Sequence, residues 1–342
     1  MEAQDASVIV REQTDSALLR RTALALASQL AFDETSAGKV GLVVTEAAKN
    51  LLKHAGGGQV ILRSIANHSA PGIEMLALDK GPGIENTARC FEDGFSTAGT
   101  SGTGLGAIVR LSSSVDIYSR PGQGTALMAR ILKPNGAGSR PANPPRFRVG
   151  GVCLPVAGEM KSGDSWVFQE DARGLRVIMA DGLGHGSQAN IASQTAVRTA
   201  VEQVQDPVPA LLDRIHRALR PTRGAAVAVA DVDTQARVVR FAGVGNIAGA
   251  VVSETAPARR LVSYAGTAGH QVSKIQEFTY PWDSGSLLVM HSDGLMSRWS
   301  LDGYPGLMRR HPSLIAAVLY RDFVRGRDDV TVMVAQEVNP QA

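Results

Sequence analysis

Four aspartates stand where strand-like runs meet turns. They are Asp164 in Ser162-Gly163-Asp164, Asp181 in Met179-Ala180-Asp181-Gly182, Asp293 in His291-Ser292-Asp293-Gly294, and Asp328 in Asp328-Asp329-Val330. A carboxylate at a strand end can reach a divalent cation. Gly182 lets its backbone carbonyl approach the same ion where a side chain would hinder it. A single Asp-Gly usually marks an ordinary turn. Four strand-edge carboxylates in one stretch of chain are what a two-metal hydrolase needs, with a water activated between the ions and a phosphoryl oxygen clamped.

A second constellation lies earlier in the chain. Glu46, Asn50 and His54 fall at i, i+4 and i+8 on a helix expected over 34–53, which sets them along one face. Asp79 follows a strand expected over 73–78 and precedes Lys80-Gly81-Pro82-Gly83, where it can accept a hydrogen bond from an exocyclic amine. Gly99-Thr100-Ser101-Gly102-Thr103-Gly104-Leu105-Gly106 feeds a further helix, whose N-terminal N–H groups attract phosphate. No Lys-Ser/Thr follows these glycines, so the loop is not a Walker A motif, and its spacing is wrong for a dinucleotide fingerprint.

The elements that must carry these groups fall into two sets. Strands are expected over 6–11, 60–65, 73–78, 114–119 and 125–132, with helices over 16–29 and 34–53. They make residues 1–133 an α+β domain, with helices on one mainly antiparallel sheet. Residues 134–146 hold prolines and glycines with no apolar period and read as a linker, so the two halves are expected to separate there. In residues 147–342 strands dominate, with helices over 188–203, 209–219 and 312–323. This pattern fits an α/β sandwich with its helices outside.

The bulk numbers exclude several classes. At 342 residues the chain suits two domains. A net charge of +3 leaves no electrostatic footprint for nucleic acid. No apolar run is long enough to span a membrane, and the N-terminus has no signal-peptide pattern. Cys90 and Cys153 are isolated thiols that suit a reducing cytosol, so a cytoplasmic protein is expected.

Ser162-Gly163-Asp164, Asp181-Gly182-Leu183-Gly184-His185-Gly186, Gly245-Asn246, Ser292-Asp293-Gly294 and Asp328-Asp329-Val330-Thr331 together resemble the metal-dependent type 2C serine/threonine phosphatases, in the sporulation-phosphatase (SpoIIE) and RsbX branch. The resemblance implies two Mn2+ or Mg2+ ions held by Asp164, Asp181, Gly182, Asp293 and Asp328. Asp181 would bridge the ions and act as the catalytic centre of the set. Many family members carry a second acid soon after Gly163-Asp164; here Ser165-Trp166-Val167-Phe168 follows instead.

The boxes of the first domain resemble the gyrase–Hsp90–histidine-kinase–MutL (GHKL) ATPases, and most closely the RsbT/RsbW-type anti-sigma serine kinases. That resemblance implies ATP with Mg2+. Asn50 would help hold Mg2+, and Asp79 would read adenine. Gly81, Gly83, Gly102, Thr103, Gly104, Leu105 and Gly106 would shape the pocket, and Glu46 would act as general base toward an acceptor serine. The whole chain then reads as a bifunctional partner-switching regulator, with a STAS-type anti-sigma antagonist as shared substrate. The alternative keeps only the phosphatase as an enzyme and makes the first domain a non-catalytic ATP- and partner-binding module. The oligomeric state stays open, a homodimer included.

Several neighbours carry plainer readings. His54 is expected to be structural or a helix C-terminal residue before Gly56-Gly57-Gly58, His185 to order the glycine turn or touch substrate phosphate, His291 to be a satisfied core residue, and Asp329 to support Asp328. Glu159 and Asp171 are expected to be solvated, and the arginines around 309–310 and 321–327 to be solvated surface, with phosphoprotein docking as the alternative.

Overall fold

The computed structural model describes residues 5–66, 71–87, 103–133, 145–203 and 206–338. The chain forms two compact units. One holds Met1–Pro144 together with Arg309–Arg321; the other holds Pro145–Met308 and Asp322–Ala342. The expected division would give 309–321 to the second domain, but this segment packs with the first.

The first unit contains β1 (Ala6–Val10), α1 (Gln13–Gln29), α2 (Glu34–Asn50), β2 (Gly58–Ala66), β3 (Pro71–Leu78), α3 (Thr103–Leu111), β4 (Ser114–Ser119) and β5 (Thr125–Leu132). The sheet order is β1-β2-β3-β5-β4, with every neighbouring pair antiparallel. α1 begins three residues earlier than expected because Glu12 and Asp15 form a capping box at its start. Asp33 caps α2 by accepting from the Ser36 N–H.

Strand alternation assigns the two faces of this sheet. Val60, Leu62, Ile73, Met75, Leu127 and Ala129 join Leu19, Val43, Ala47 and Ile108 of the helices in one apolar core. The opposite face carries Ile61, Arg63, Glu74, Leu76, Met128 and Arg130. All but Arg130 are buried, and Arg130 is partly so. A sheet buried on both faces needs cover on both. The second cover comes from α6 (Pro312–Phe323), in which Ser313 Oγ donates to Glu74 at 2.9 Å and Tyr320 pairs with Gln59.

The second unit contains β6 (Phe147–Leu154), β7 (Asp164–Glu170), β8 (Gly174–Gly182), α4 (Gly186–Glu202), α5 (Val208–Ala218), β9 (Ala225–Asp233), β10 (Val238–Val244), β11 (Ala248–Val252), β12 (Arg259–Leu261), β13 (Phe278–Pro281), β14 (Leu287–His291) and β15 (Val330–Glu337). Two five-stranded antiparallel sheets result, ordered β13-β10-β9-β8-β7 and β12-β11-β14-β15-β6. Val177, Met179, Phe241, Leu288, Met290 and Met333 fill the space between the sheets. Ile178, Ala180, Val227 and Val229 point the other way, against α4 and α5. That period-2 split is what a sandwich with an outer helical layer requires. Among the described residues no helix is long and apolar enough to cross a membrane.

Candidate functional site

The sandwich brings the strand ends together. The β7–β8 register sets Asp164 directly opposite Asp181. β14 and β15 are neighbours, so Asp293, just past β14, and Asp328, just before β15, emerge at one end of the other sheet. Ser292 links the two sheets, since its Oγ donates to Asp164 Oδ2 at 2.6 Å and accepts from the Thr331 N–H at 2.9 Å. Asn246, one residue past Gly245 at the end of β10, donates to Asp293 Oδ2 at 2.7 Å. Gly182 has a packing reason of its own, because a Cβ there would lie 2.0 Å from the Ala189 carbonyl of α4.

The electrostatics of this cluster are unfavourable to negative charge. Burial raises the carboxyls of Asp164 and Asp181, and neighbouring acids raise them further. Asp181 feels Asp164, Asp293 and Asp328, and Asp293 is likewise raised by burial and then by Asp328. Arg325 opposes the rise at Asp293. Asp164 Oδ1 is buried with no hydrogen-bond partner among the described residues. An orphaned carboxylate oxygen amid mutually raised acids is a donor set that fits hard divalent cations. Among the described residues no three His, Cys, Asp or Glu side chains close tightly enough to hold an ion as they stand. Ser292 and Asn246 hold two of the four carboxylates in place.

The supporting residues divide between the expected and the unexpected. The Asp329 carboxylate accepts from the Val156 and Gly163 N–H groups, each at 2.7 Å, and so ties down the loops on either side of Glu159. His291 is a satisfied core residue that accepts from Trp299 Nε1 at 2.9 Å. Glu159, expected to be solvated, pairs with His185 at 2.7 Å. Asp171 caps a turn by accepting from Arg173 and Gly174.

In the first unit, α2 places Glu46 and Asn50 one turn apart. Gly104 of α3 sits against both. A Cβ at Gly104 would lie 3.1 Å from Asn50 Oδ1 and 3.3 Å from Glu46 Oε2, so the bare backbone of α3 comes close to the pair. Thr103 opens α3, and Leu105 packs on the core beside it. Gly102 and the loop before it lie outside the described residues. Asp79 is fixed by one oxygen: Oδ1 accepts from the Gly81 N–H at 2.8 Å and the Thr125 N–H at 3.1 Å. Burial raises the Asp79 carboxyl, and the two amides oppose that rise. Gly83 has φ +73°, and a Cβ there would meet the Arg120 carbonyl at 2.0 Å, so this turn tolerates only glycine. Glu46 pairs with Lys49 at 2.7 Å.

Two expectations change in the first unit. After Asn50 the helix widens into a π turn, Leu51–Ala55, so His54 no longer continues the Glu46–Asn50 face. His54 instead feels the charge of Asp79, while partial burial holds its imidazole below the ordinary value. The arginines of 309–310 and 321–327 are not all solvated. Arg310 pairs with Asp116 at 3.2 Å. Arg321 is 8% exposed and donates to the Asp79 carbonyl at 3.2 Å across 242 residues of sequence. The near-continuous apolar run of α6 is the sequence signal for this, because a helix apolar all round is buried and an arginine within it must find a partner.

Comparison with known proteins finds relatives for both units. Residues 9–131 match the histidine kinase-like ATPase domain family, and residues 171–337 match the stage II sporulation protein E (SpoIIE) family. The serine/threonine-protein kinase RsbT of Bacillus subtilis (strain 168) is 31% identical over 122 residues, covering 36% of this chain and 92% of that protein. The phosphoserine phosphatase RsbX of the same organism is 28% identical over 143 residues, covering 42% of this chain and 71% of that protein. A solved structure described with the bacterial stressosome, a modular system adapted to control secondary messenger signalling, has TM-score 0.52 and 25% identity. It covers 56% of this chain and 100% of its own. The crystal structure of RsbX in complex with magnesium has TM-score 0.50 and 22% identity, covering 57% of this chain and 98% of its own, and it supports the fold. The chain therefore belongs to the RsbT family of histidine kinase-like ATPase domains through its first unit and carries a SpoIIE domain, of the type 2C phosphatase fold, in its second.

Proposed function

We propose that the second unit removes phosphate from phosphoserine on a STAS-type protein partner and that the first unit binds ATP, the two together making a partner-switching regulator. The observation that supports this best is the cluster of strand-end aspartates whose burial and like charge push Asp164, Asp181 and Asp293 toward the neutral form. Bound Mn2+ or Mg2+ would supply an activated water and a clamp on a phosphoryl oxygen. Asp181 and Asp164 face one another and offer oxygens to that pair of ions, with Gly182, Asp293 and Asp328 completing the set. Ser292 orients Asp164, Asn246 orients Asp293, and Asp329 fixes the chain at Gly163. Hydrolysis of an aryl phosphate by the full chain tests this: turnover is expected with Mn2+ or Mg2+ and none with chelator. Chelator-resistant turnover would overturn it.

In the first unit, Asp79 Oδ1 is taken by two backbone amides, which leaves Oδ2 to accept from the adenine amine. Asn50 lies beside the α3 N-terminus, where it would help hold a Mg2+-bound phosphate tail. Glu46 is the base that would take the proton of an acceptor serine. A second reading, in which the first unit binds nucleotide without transferring phosphate, is favoured by the Lys49–Glu46 ion pair, which occupies that base. Labelled ATP and a candidate STAS protein, incubated with the Asp181→Asn chain, separate the two readings. Accumulated phosphoserine supports transfer, and bound ATP without phosphoserine supports the binding module.

A further inference from the structure

The seat of α6 is built from buried charge. Arg63, Glu74 and Arg130 form a cross-strand row on β2, β3 and β5, through the registers Arg63↔Glu74 and Glu74↔Arg130. Glu74 is fully buried and pairs with Arg63 at 2.8 Å and Arg130 at 2.6 Å. Ser313 closes the row from α6 at 2.9 Å from Glu74, and the Arg63 and Arg130 Nη2 groups lie 3.4 Å from its hydroxyl. The Asp116 carboxylate accepts from the His311 N–H at 2.8 Å, so the start of α6 is fixed as well. The charges of the row pair with one another on the sheet, and a shift of α6 would strip the Ser313 hydroxyl from buried Glu74, so the seat favours one docking register.

The far end of α6 leads to both sites. Arg321 donates to the backbone carbonyl of Asp79, the residue assigned to adenine. Two residues on, the Phe323 carbonyl accepts from the Met296 N–H at 2.9 Å. The Arg325 N–H then donates to the Gly294 carbonyl at 2.8 Å, beside Asp293. Leu295 and Val324 bridge between these two bonds. Six residues separate Arg321 from Asp328. The short segment from Arg321 to Asp328 thus starts at the backbone of Asp79 and is strapped to Gly294 and Met296, just past Asp293, before it supplies Asp328.

We infer that α6 is a coupling element through which an adenine nucleotide bound at Asp79 changes hydrolysis at Asp293 and Asp328, with Arg321 as the positioning residue that carries the signal. The inference rests on the nucleotide reading of the first unit. A ligand shifts another site only if its own affinity differs between the two arrangements of the element that joins them. A ligand that pulls on Asp79 shifts the carbonyl that Arg321 holds, and the strap passes that shift to Gly294. Coupling of this kind is reciprocal, so occupancy of the second site must change nucleotide affinity by the same factor.

The experiment uses the full chain, 4-nitrophenyl phosphate, a fixed free Mn2+ concentration and a non-hydrolysable ATP analogue whose binding is measured separately by calorimetry. The analogue is expected to change turnover by about fivefold or more, the lower range for a coupling between sites. In Arg321→Met the analogue is expected still to bind, with turnover no longer responding. Hydrogen exchange of the unsubstituted chain gives a readout that needs no variant: the analogue is expected to alter exchange across residues 309–328. Binding with neither a turnover change nor an exchange change there overturns the coupling and leaves the nucleotide reading intact. A folded Arg321→Met chain that responds in full removes Arg321 from the path and overturns its role. Failure of the analogue to bind at all overturns the nucleotide reading itself, and the coupling falls with it.

Discussion

Glu74 in the first unit and the aspartate cluster in the second are both carboxylates withdrawn from water, yet they sit at opposite extremes. Burial alone would raise Glu74, but Arg63 and Arg130 outweigh it and hold the group at about 2. Burial raises Asp164 and Asp181 as well, and there the nearest charges are further acids, which add to the rise. The difference teaches that depth does not separate a structural carboxylate from a candidate site. The sign of the surrounding charge does. A compensated acid is a finished part of the fold, whereas a cluster of uncompensated acids is finished only by a cation from outside.

The comparison breaks most visibly if Glu74 is not compensated. Glu74→Ala leaves two buried guanidiniums facing each other, and it is expected to destabilise the first unit by about 3–5 kcal/mol in urea unfolding. A loss under about 1 kcal/mol would mean that the arginines escape to water and the row is not the seat of α6. Next in size is Asp181→Asn. Its aryl phosphatase turnover in Mn2+ is expected to fall about 100- to 1000-fold. The same change removes a repelled charge, so in chelator the unfolding midpoint should rise. A midpoint that falls instead would make Asp181 a compensated acid like Glu74.

Acidity sharpens the contrast, because the two groups respond with opposite sign. Glu74 has a lowered folded value, so its contribution is present above its unfolded value near 4.3 and is lost as pH falls toward about 2, a swing of about 3 kcal/mol. Asp164 and Asp181 have raised folded values. Their protonated forms favour the fold, so the chelated chain should lose stability as pH climbs above the ordinary carboxylate range through their raised values. Melting scans from pH 3 to 9, with and without Mg2+, should therefore show the alkaline loss only in chelator. The smallest effect belongs to Asp79, where burial raises the group and two amides oppose it. Asp79→Asn is expected to weaken nucleotide binding by about 1.5–3 kcal/mol, measured by calorimetry. Unchanged affinity would place the adenine elsewhere.

The sequence read well wherever the signal was local. The strand that carries Asp181 and the strand that ends at His291 follow from apolar runs broken by Asp-Gly, and the sheet of the first unit follows from period-2 runs between turns. Gly104 against Asn50 and Glu46 was foreseeable only as a set of boxes, since none of those residues signals contact alone. The misreadings share another cause. His54 left its face because a π turn after Asn50 interrupts a helical period that the residue types themselves continue. Arg321 is buried against the solvated expectation because its partner, Asp79, lies 242 residues away, beyond any window of periodicity. Two hints are legible: the near-continuous apolar run of α6, and β3, where Ile-Glu-Met-Leu-Ala-Leu lacks alternation and so demands cover on both faces.

The interleaving of the units also bears on how the chain is made. A ribosome releases the strands and helices of Met1–Pro144 first, but the helix that covers their second face emerges about 190 residues after β5. At about 5–20 residues per second that delay is roughly 10–40 s, long compared with the collapse of a small domain. Throughout it the Arg63–Glu74–Arg130 row and its apolar neighbours face water or a chaperone. The early domain matures only when the late one is nearly complete, so a message cut short before residue 321 yields an N-terminal half that lacks this cover.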